Sequence, residues 1–229
     1  MAVHVNCDWA EGATDDPALL DLLDQVNLAL GGHAGSAALA REWNQRAVDA
    51  GVTVCLHPGY ADAAGFGRRS GFQQGVDLLE SLRVQRAVLP DCDLCKFHGA
   101  LYTDADEDAQ LAASLTDWCI AEGIHGLVVP PAGELEAAAR AAGLAVLREG
   151  FVDRSYRILA DRAVLVPRSD ADAVHVDVSA MVAQVREVVT GGMLSTRDGL
   201  LPFSCETWCV HGDDPRAPVV LQALREACA

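Results

Sequence analysis

Five short segments of this chain join a histidine, a carboxylate or an ammonium to small neighbours. They are Asn6-Cys7-Asp8-Trp9-Ala10-Glu11, Gly31-Gly32-His33-Ala34-Gly35, His57-Pro58-Gly59-Tyr60, Lys96-Phe97-His98-Gly99 and His211-Gly212-Asp213. A carboxylate can take a proton from water, and an imidazole can serve as base, acid or metal ligand near neutral pH. Glycine beside either lets a backbone approach a ligand closely. A single histidine is more often a satisfied core or surface residue, and His4, His125 and His175 are read that way. Four in one recurring local setting, His33, His57, His98 and His211, read as a functional group. Asp8 and Glu11 have a bland reading as helix-terminal charges, but their place beside the same segments favours catalytic carboxylates.

Lys96 stands out because it is the one lysine among 229 residues, while the chain's other basic residues are arginines. An ammonium is a compact point charge whose pKa responds to burial, whereas a guanidinium stays protonated and acts as a planar fork. Three roles fit: pairing with a substrate carboxylate, stabilising an oxyanion, or acting as a nucleophile or base of lowered pKa. Stabilising negative charge is the leading one. No Gly-x-Ser-x-Gly elbow occurs, and Lys96 does not sit in a Gly-x-x-x-x-Gly-Lys-Ser/Thr loop. Neither a serine hydrolase nor direct ATP binding is therefore indicated, and any ATP chemistry would need a partner.

The elements that must position these groups are legible in the hydrophobic pattern. Seven apolar runs, at 3–7, 26–30, 53–56, 94–97, 126–129, 145–148 and 208–210, alternate with helix-like stretches. That is the pattern of parallel strands buried on both faces and joined by crossover helices. Helices are expected over 17–23, 37–50, 76–88, 107–121, 134–142, 178–189 and 217–228, the second begun by Ser36 as N-cap and ended by Gly51. Seven strand-helix units fit a closed or nearly closed β/α barrel, with a doubly wound open sheet as the alternative. In a parallel barrel the five segments fall on one rim, where such folds build their sites. Residues 59–75 and 150–177 interrupt the rhythm and read as binding loops or lids.

Composition bounds the rest. The length fits one α/β domain over residues 1–229, and 51% hydrophobic residues suffice for its core. No apolar run approaches a membrane span, and residues 1–8 lack a signal-peptide pattern, so a cytoplasmic location is expected. A net charge of −16 argues against nucleic acid. Arg68, Arg69, Arg154, Arg157 and Arg168 nevertheless fall in the loops, where they could hold a small anion. The eight cysteines are expected to be free thiols packed as small hydrophobes. The composition leaves a homo-oligomer open.

Taken in order, these segments and four others resemble the LamB/YcsF family along nearly the whole chain. The four are Ala64-Gly65-Phe66-Gly67-Arg68-Arg69, Ala100-Leu101-Tyr102, Glu149-Gly150-Phe151-Val152-Asp153-Arg154 and Leu165-Val166-Pro167-Arg168-Ser169. The resemblance implies a distorted seven-stranded β/α barrel akin to polysaccharide deacetylases. It also implies an activity, that of the A-type component of bacterial 5-oxoprolinase. There the cyclic amide of 5-oxoproline is opened to glutamate, with ATP supplied through B-type and C-type partner components.

On residues and resemblance together, Asp8, Glu11, Lys96 and His98 are the expected catalytic groups. Asn6, His33, His57, Tyr60, Arg68, Arg69, Tyr102, Asp153, Arg154, His211 and Asp213 are the expected substrate contacts. Should a divalent metal bind, Asp8, His33, His57 and His211 are its candidate ligands. The sequence departs from the family pattern at Trp9 and Ala10 (usually Leu-Gly), Leu30 (Cys), Gly32 (Phe), Ser36 (Asp) and Phe97 (Pro). A bulky Trp9 and a lost carboxylate beside His33 are expected to reshape the pocket, so the substrate could differ from 5-oxoproline. Two other readings stand beside ring opening: a metal-dependent amidase or deacetylase, or lactam hydrolase, with a specialised substrate, and a noncatalytic protein that binds a small molecule or scaffolds partners.

Overall fold

The computed structural model describes residues 3–12, 15–212 and 214–228. Seven parallel strands close into a barrel: β1 (Val5–Trp9), β2 (Gln25–Ala29), β3 (Thr53–His57), β4 (Leu94–Cys95), β5 (Gly126–Val129), β6 (Ala145–Phe151) and, last in the chain, β11 (Thr207–His211). β1 closes the ring by pairing β2 on one side and β11 on the other, with Asp8 opposite both Asn27 and His211. Every expected strand is present, and the open-sheet alternative is excluded by this closure.

Helices α1 (Ala37–Asp49), α2 (Gly75–Arg86), α3 (Gly99–Glu107), α4 (Ala109–Ala121), α5 (Glu134–Ala141), α6 (Val178–Gly191) and α7 (Ala217–Ala227) surround it, and a 3₁₀ turn spans Pro17–Leu22. Ser36 caps α1 by accepting from the Leu39 N–H. The helix expected over 107–121 divides at Asp108, whose carboxylate accepts from the N–H groups of Gln110 and Leu111 and starts α4 afresh. α3, which sequence reasoning missed, begins at Gly99 in the left-handed region, φ 56°. Two hairpins were also missed: β7 (Tyr156–Leu159) with β8 (Arg162–Leu165), and β9 (Met193–Thr196) with β10 (Gly199–Pro202). The first occupies the stretch read as a loop over 150–177. Among the described residues no helix is long and apolar enough to cross a membrane.

Alternation along the strands sorts the side chains into two layers. Val5, Cys7 and Trp9 face the helices, and Trp9 meets Trp43 of α1 edge to face with ring centroids 5.3 Å apart. Asn6 and Asp8 face inward with Gln25, Asn27, Lys96, Glu149 and Thr207, all buried. The barrel interior is thus a hydrogen-bonded polar plug. Gln25 donates to Asn27 at 2.6 Å, Asn27 to Asn6 at 2.7 Å, and Asn6 to Glu149 and Thr207 at 2.9 Å each. A buried network of this kind holds one arrangement because each broken link leaves a polar atom unsatisfied.

Of the departures from the family pattern, Phe97 lines the cavity, whereas Trp9, Gly32 and Ser36 fall outside it or are absorbed locally. Trp9 lies on the helix side of its strand, so it does not reshape the pocket as expected. Ser36 is occupied in capping α1. A Cβ at Gly32 would stand 2.3 Å from the Gln85 side chain, which takes up that space and accepts from the Gly59 N–H. Ala10, by contrast, sits at φ 61°, a left-handed conformation that suits the usual glycine. Ala10→Gly should therefore raise the melting temperature. Relief of about 1–2 kcal/mol of backbone strain exceeds the roughly 0.4–1 kcal/mol that glycine costs through the unfolded chain. A lower melting temperature would show that Ala10 is not strained.

Candidate active site

The C-terminal ends of the strands open into a cavity of about 360 Å³. Asp8, Glu11, His57, Lys96, His98 and His211 line it together with Arg68, Arg154, Arg157 and Arg168. Tyr102 and Phe151 also line it.

Asp8 is held from several directions. Its Oδ1 accepts from Lys96 Nζ at 2.8 Å and Asn27 Nδ2 at 2.8 Å, which leaves Oδ2 facing His57 Nε2 at 3.4 Å. Burial alone would raise its pKa, but His57 and Lys96 outweigh that and hold the carboxyl well below the usual range. Lys96 is only 2% exposed. Its Nζ donates to Asp8 Oδ1 at 2.8 Å, Cys209 Sγ at 3.1 Å and Asn6 Oδ1 at 3.5 Å and pairs with Glu149 Oε1 at 3.0 Å, with the Phe151 ring 5.3 Å from Nζ. Burial would lower its pKa, but the charges of Asp8 and Glu149 and the Cys209 sulfur hold it well above the ordinary ammonium value. A raised pKa does not suit a lowered-pKa base or nucleophile, and these partners of the ammonium are all protein groups. Lys96 thus fixes Oδ1 of Asp8, while Oδ2 faces His57.

The imidazoles gather beside Asp8. His57 Nδ1 donates to the Lys96 carbonyl at 2.8 Å and His98 Nε2 to the Phe66 carbonyl at 2.9 Å, while His57 Nε2 and His98 Nδ1 face each other at 3.0 Å. Glu11 Oε1 stands 3.4 Å from His98 Nδ1 and accepts from His33 Nε2 at 3.1 Å. His33 stacks on His98, ring centroids 3.5 Å apart, and lies behind the cavity wall. Burial, with neighbouring imidazoles adding to it, lowers the pKa of His98 strongly; burial likewise lowers that of His33. Glycine permits the crowding: a Cβ at Gly67 (φ 63°) would stand 2.8 Å from His33 Cβ and 2.9 Å from His98 Cδ2. Gly67→Ala should therefore displace both rings. It should lower activity by more than about tenfold, the scale at which small misplacements are felt in such sites, and unchanged activity would show that ring placement is slack.

His211 Nδ1 donates to Asp153 at 2.8 Å and its Nε2 faces Arg168 Nη2 at 3.1 Å. Burial opposes protonation of His211, but Asp153 raises its pKa overall; burial likewise opposes ionisation of Asp153, but His211 lowers its pKa. The depressed carboxyl contributes stability present above about pH 4 and lost as pH falls through its folded value. The raised imidazole contributes stability fully present below about pH 6.5 and lost as pH rises through its folded value. Asp153→Asn should thus cost most stability between these limits and less above them, as urea unfolding across pH will show; a pH-independent difference would contradict it.

The arginine wall carries concentrated positive charge. Arg154 is tied by Nη2 to the Val166 carbonyl at 2.6 Å and by Nε to that of Ala173 at 3.2 Å. Burial, with Arg168 and Arg68 adding to it, lowers its pKa to about 10. An anion in the cavity would relieve that repulsion. Tyr102 stays a phenol because burial and the Glu149 carboxylate push its pKa far up, and its hydroxyl has no hydrogen-bond partner among the described residues.

Not every expected contact reaches this cavity. Tyr60 donates to Asp104 at 2.8 Å outside it, Arg69 pairs with Asp62, Asn6 lies beneath Lys96, and Asp153 supports His211 from behind. Asp213 lies outside the described residues. The expected metal set Asp8, His33, His57 and His211 is divided in two: Glu11, His33, His57 and His98 form one group of close ligand atoms, and Asp8, Cys209 and His211 another. Glu149, Asn27 and Cys209 were missed. The signal for Asn27 was a polar residue two positions from Gln25 within an apolar run.

A parallel β/α barrel with acid, imidazole and ammonium groups converging at the C-terminal rim defines a barrel of enzyme type. The chain belongs to the LamB/YcsF family, which it matches over residues 3–229. It is similar to the crystal structure of a lactam utilization protein from Thermus thermophilus, with 32% identity, a TM-score of 0.84 and 99% and 96% of the two chains covered. Similarity to a tryptophan synthase α chain from Campylobacter jejuni is loose, at 11% identity and a TM-score of 0.31.

Proposed function

We propose that this protein opens a cyclic amide that carries a carboxylate, with 5-oxoproline as the leading substrate and glutamate as its product. The observation that supports this most is that a fixed carboxylate, Asp8, and four arginines line one cavity. The arginines hold the substrate carboxylate through charge-assisted bonds, which places the ring carbonyl over Asp8. Asp8 takes a proton from water as the water oxygen bonds to the carbonyl carbon, then returns it to the ring nitrogen as the C–N bond breaks. Tyr102, a neutral donor, stabilises the developing oxyanion. The name of the Thermus relative supports a lactam as the substrate class. ATP enters through partners resembling the B-type and C-type components of 5-oxoprolinase, since this chain carries no phosphate-cradling lysine loop. They transfer its γ-phosphoryl group to the amide oxygen and release ADP. The first water then opens the C–N bond to leave an acyl phosphate, and a second water hydrolyses that to glutamate and inorganic phosphate.

Calorimetric titration with 5-oxoproline tests the binding half of this reading. The protein should bind it, and Arg168→Ala should weaken binding by about tenfold or more, the loss expected when a charged hydrogen bond is removed. No binding by the wild type, or equal binding by the variant, would contradict the assignment of the arginine wall.

A further inference from the structure

We infer that Glu11, His57 and His98 form a binding site for a divalent transition metal ion on the cavity wall, with His33 holding Glu11 in place. The first ground is where the imidazole protons must be. His57 Nδ1 and His98 Nε2 each face a backbone carbonyl, of Lys96 at 2.8 Å and Phe66 at 2.9 Å, and a carbonyl can only accept. With both rings neutral, each carries its proton on the far nitrogen and presents a lone pair from the near one; a protonated His57 would instead direct an Nε2–H at Asp8 Oδ2 or His98 Nδ1, the arrangement a bound metal ion replaces. Those two lone pairs, on His57 Nε2 and His98 Nδ1, confront each other at 3.0 Å. Two acceptors in that arrangement repel unless a cation lies between them. Metal-ligating histidines characteristically have their distal N–H fixed on a carbonyl or carboxylate in just this way.

The second ground is distance. Donor atoms around an ion at ~2.1 Å stand ~3.0–3.4 Å apart for octahedral or tetrahedral angles. His57 Nε2 and His98 Nδ1 are 3.0 Å apart, and Glu11 Oε1 is 3.4 Å from His98 Nδ1. The nearest nitrogen or oxygen donors of Glu11, His33, His57 and His98 all lie within 4.8 Å of one another. Glu11, His57 and His98 line the cavity, whereas His33 does not. His33 instead donates Nε2–H to Glu11 Oε1 at 3.1 Å, and its buried Nδ1 has no hydrogen-bond partner among the described residues, which fits the proton resting on Nε2. Two imidazoles and one carboxylate with a fourth side open to a cavity is the donor set of a catalytic rather than a structural site, and suits zinc, cobalt, manganese or iron. Asp8 Oδ2, 3.4 Å from His57 Nε2, adds negative charge that favours a cation there.

This inference does not depend on the lactam reading, and its test does not use activity. Protein treated with chelator and then dialysed is titrated with Zn²⁺ by calorimetry, and with Co²⁺ while its visible absorption is recorded. One equivalent of Zn²⁺ should bind, and Co²⁺ should develop d–d bands that Zn²⁺ abolishes. Glu11→Gln and His98→Gln, each checked by thermal melting, should weaken Zn²⁺ binding by more than about tenfold, the scale on which disturbances to such sites are felt. His125→Gln, away from the cavity, should leave it unchanged. Absence of both Zn²⁺ binding and cobalt bands in the folded wild type would show that a proton alone occupies the His57–His98 contact. Binding that survives Glu11→Gln and His98→Gln would place the metal elsewhere. Either result overturns the proposal.

Discussion

Lys96→Met is expected to cost about 3–5 kcal/mol of stability, because it strands buried carboxylates that share its single positive charge. Asp8 Oδ1 and Glu149 Oε1 lie 2.8 and 3.0 Å from Nζ in the closed interior of the barrel. Asn27 and Asn6 continue to bond those oxygens, but a neutral amide does not balance a carboxylate. Lys96→Arg should not rescue the site fully, since a planar fork cannot direct three donors to Asp8, Glu149 and Cys209 at once. Urea unfolding of the two variants measures the loss. Adding Glu149→Gln to Lys96→Met should recover part of it, because one stranded charge is removed, and the shortfall from additivity gives the coupling of the pair. A change below about 0.5 kcal/mol in Lys96→Met, typical of a surface substitution, would contradict the buried arrangement.

Asp8→Asn carries the largest expected effect on turnover, a loss of about 10²–10⁴-fold, the range found when a positioned acid or base is removed. The amide keeps the shape of the side chain and can still accept from Lys96 or Asn27, but it takes no proton from water. The loss should fall on kcat with little change in KM, because the substrate carboxylate is held by the arginines of the cavity. Arg168→Ala should show the reverse emphasis, a raised KM with a smaller effect on kcat. A loss in Asp8→Asn that fell entirely on KM would reassign Asp8 to binding.

The barrel was legible because parallel strands buried on both faces leave apolar runs at helix-separated intervals, and all seven were found. The rim was legible for the same reason, since a strand end is where such a run stops. What the sequence concealed was direction. Lys96 was expected to stabilise negative charge, but the sequence could not show that Asp8, Glu149 and Cys209 would surround its ammonium at the cavity wall. Trp9 was expected near the pocket, but period-two alternation sends it to Trp43. α3 and the Tyr156–Leu165 hairpin were missed because their short segments carry little periodicity and are shaped by what they pack against. Asn27 and Glu149 were overlooked because a polar residue inside an apolar run has meaning only once the barrel has closed around it.

Opening of a carboxylated lactam in this cavity is read from glutamate released from 5-oxoproline with ATP, using the purified protein with and without B-type and C-type 5-oxoprolinase partners. Release is expected with the partners present, its disappearance when Asp8→Asn replaces the wild type, and none from the partners alone. No release under any of these conditions, or release that persists with Asp8→Asn at the wild-type rate, would contradict it.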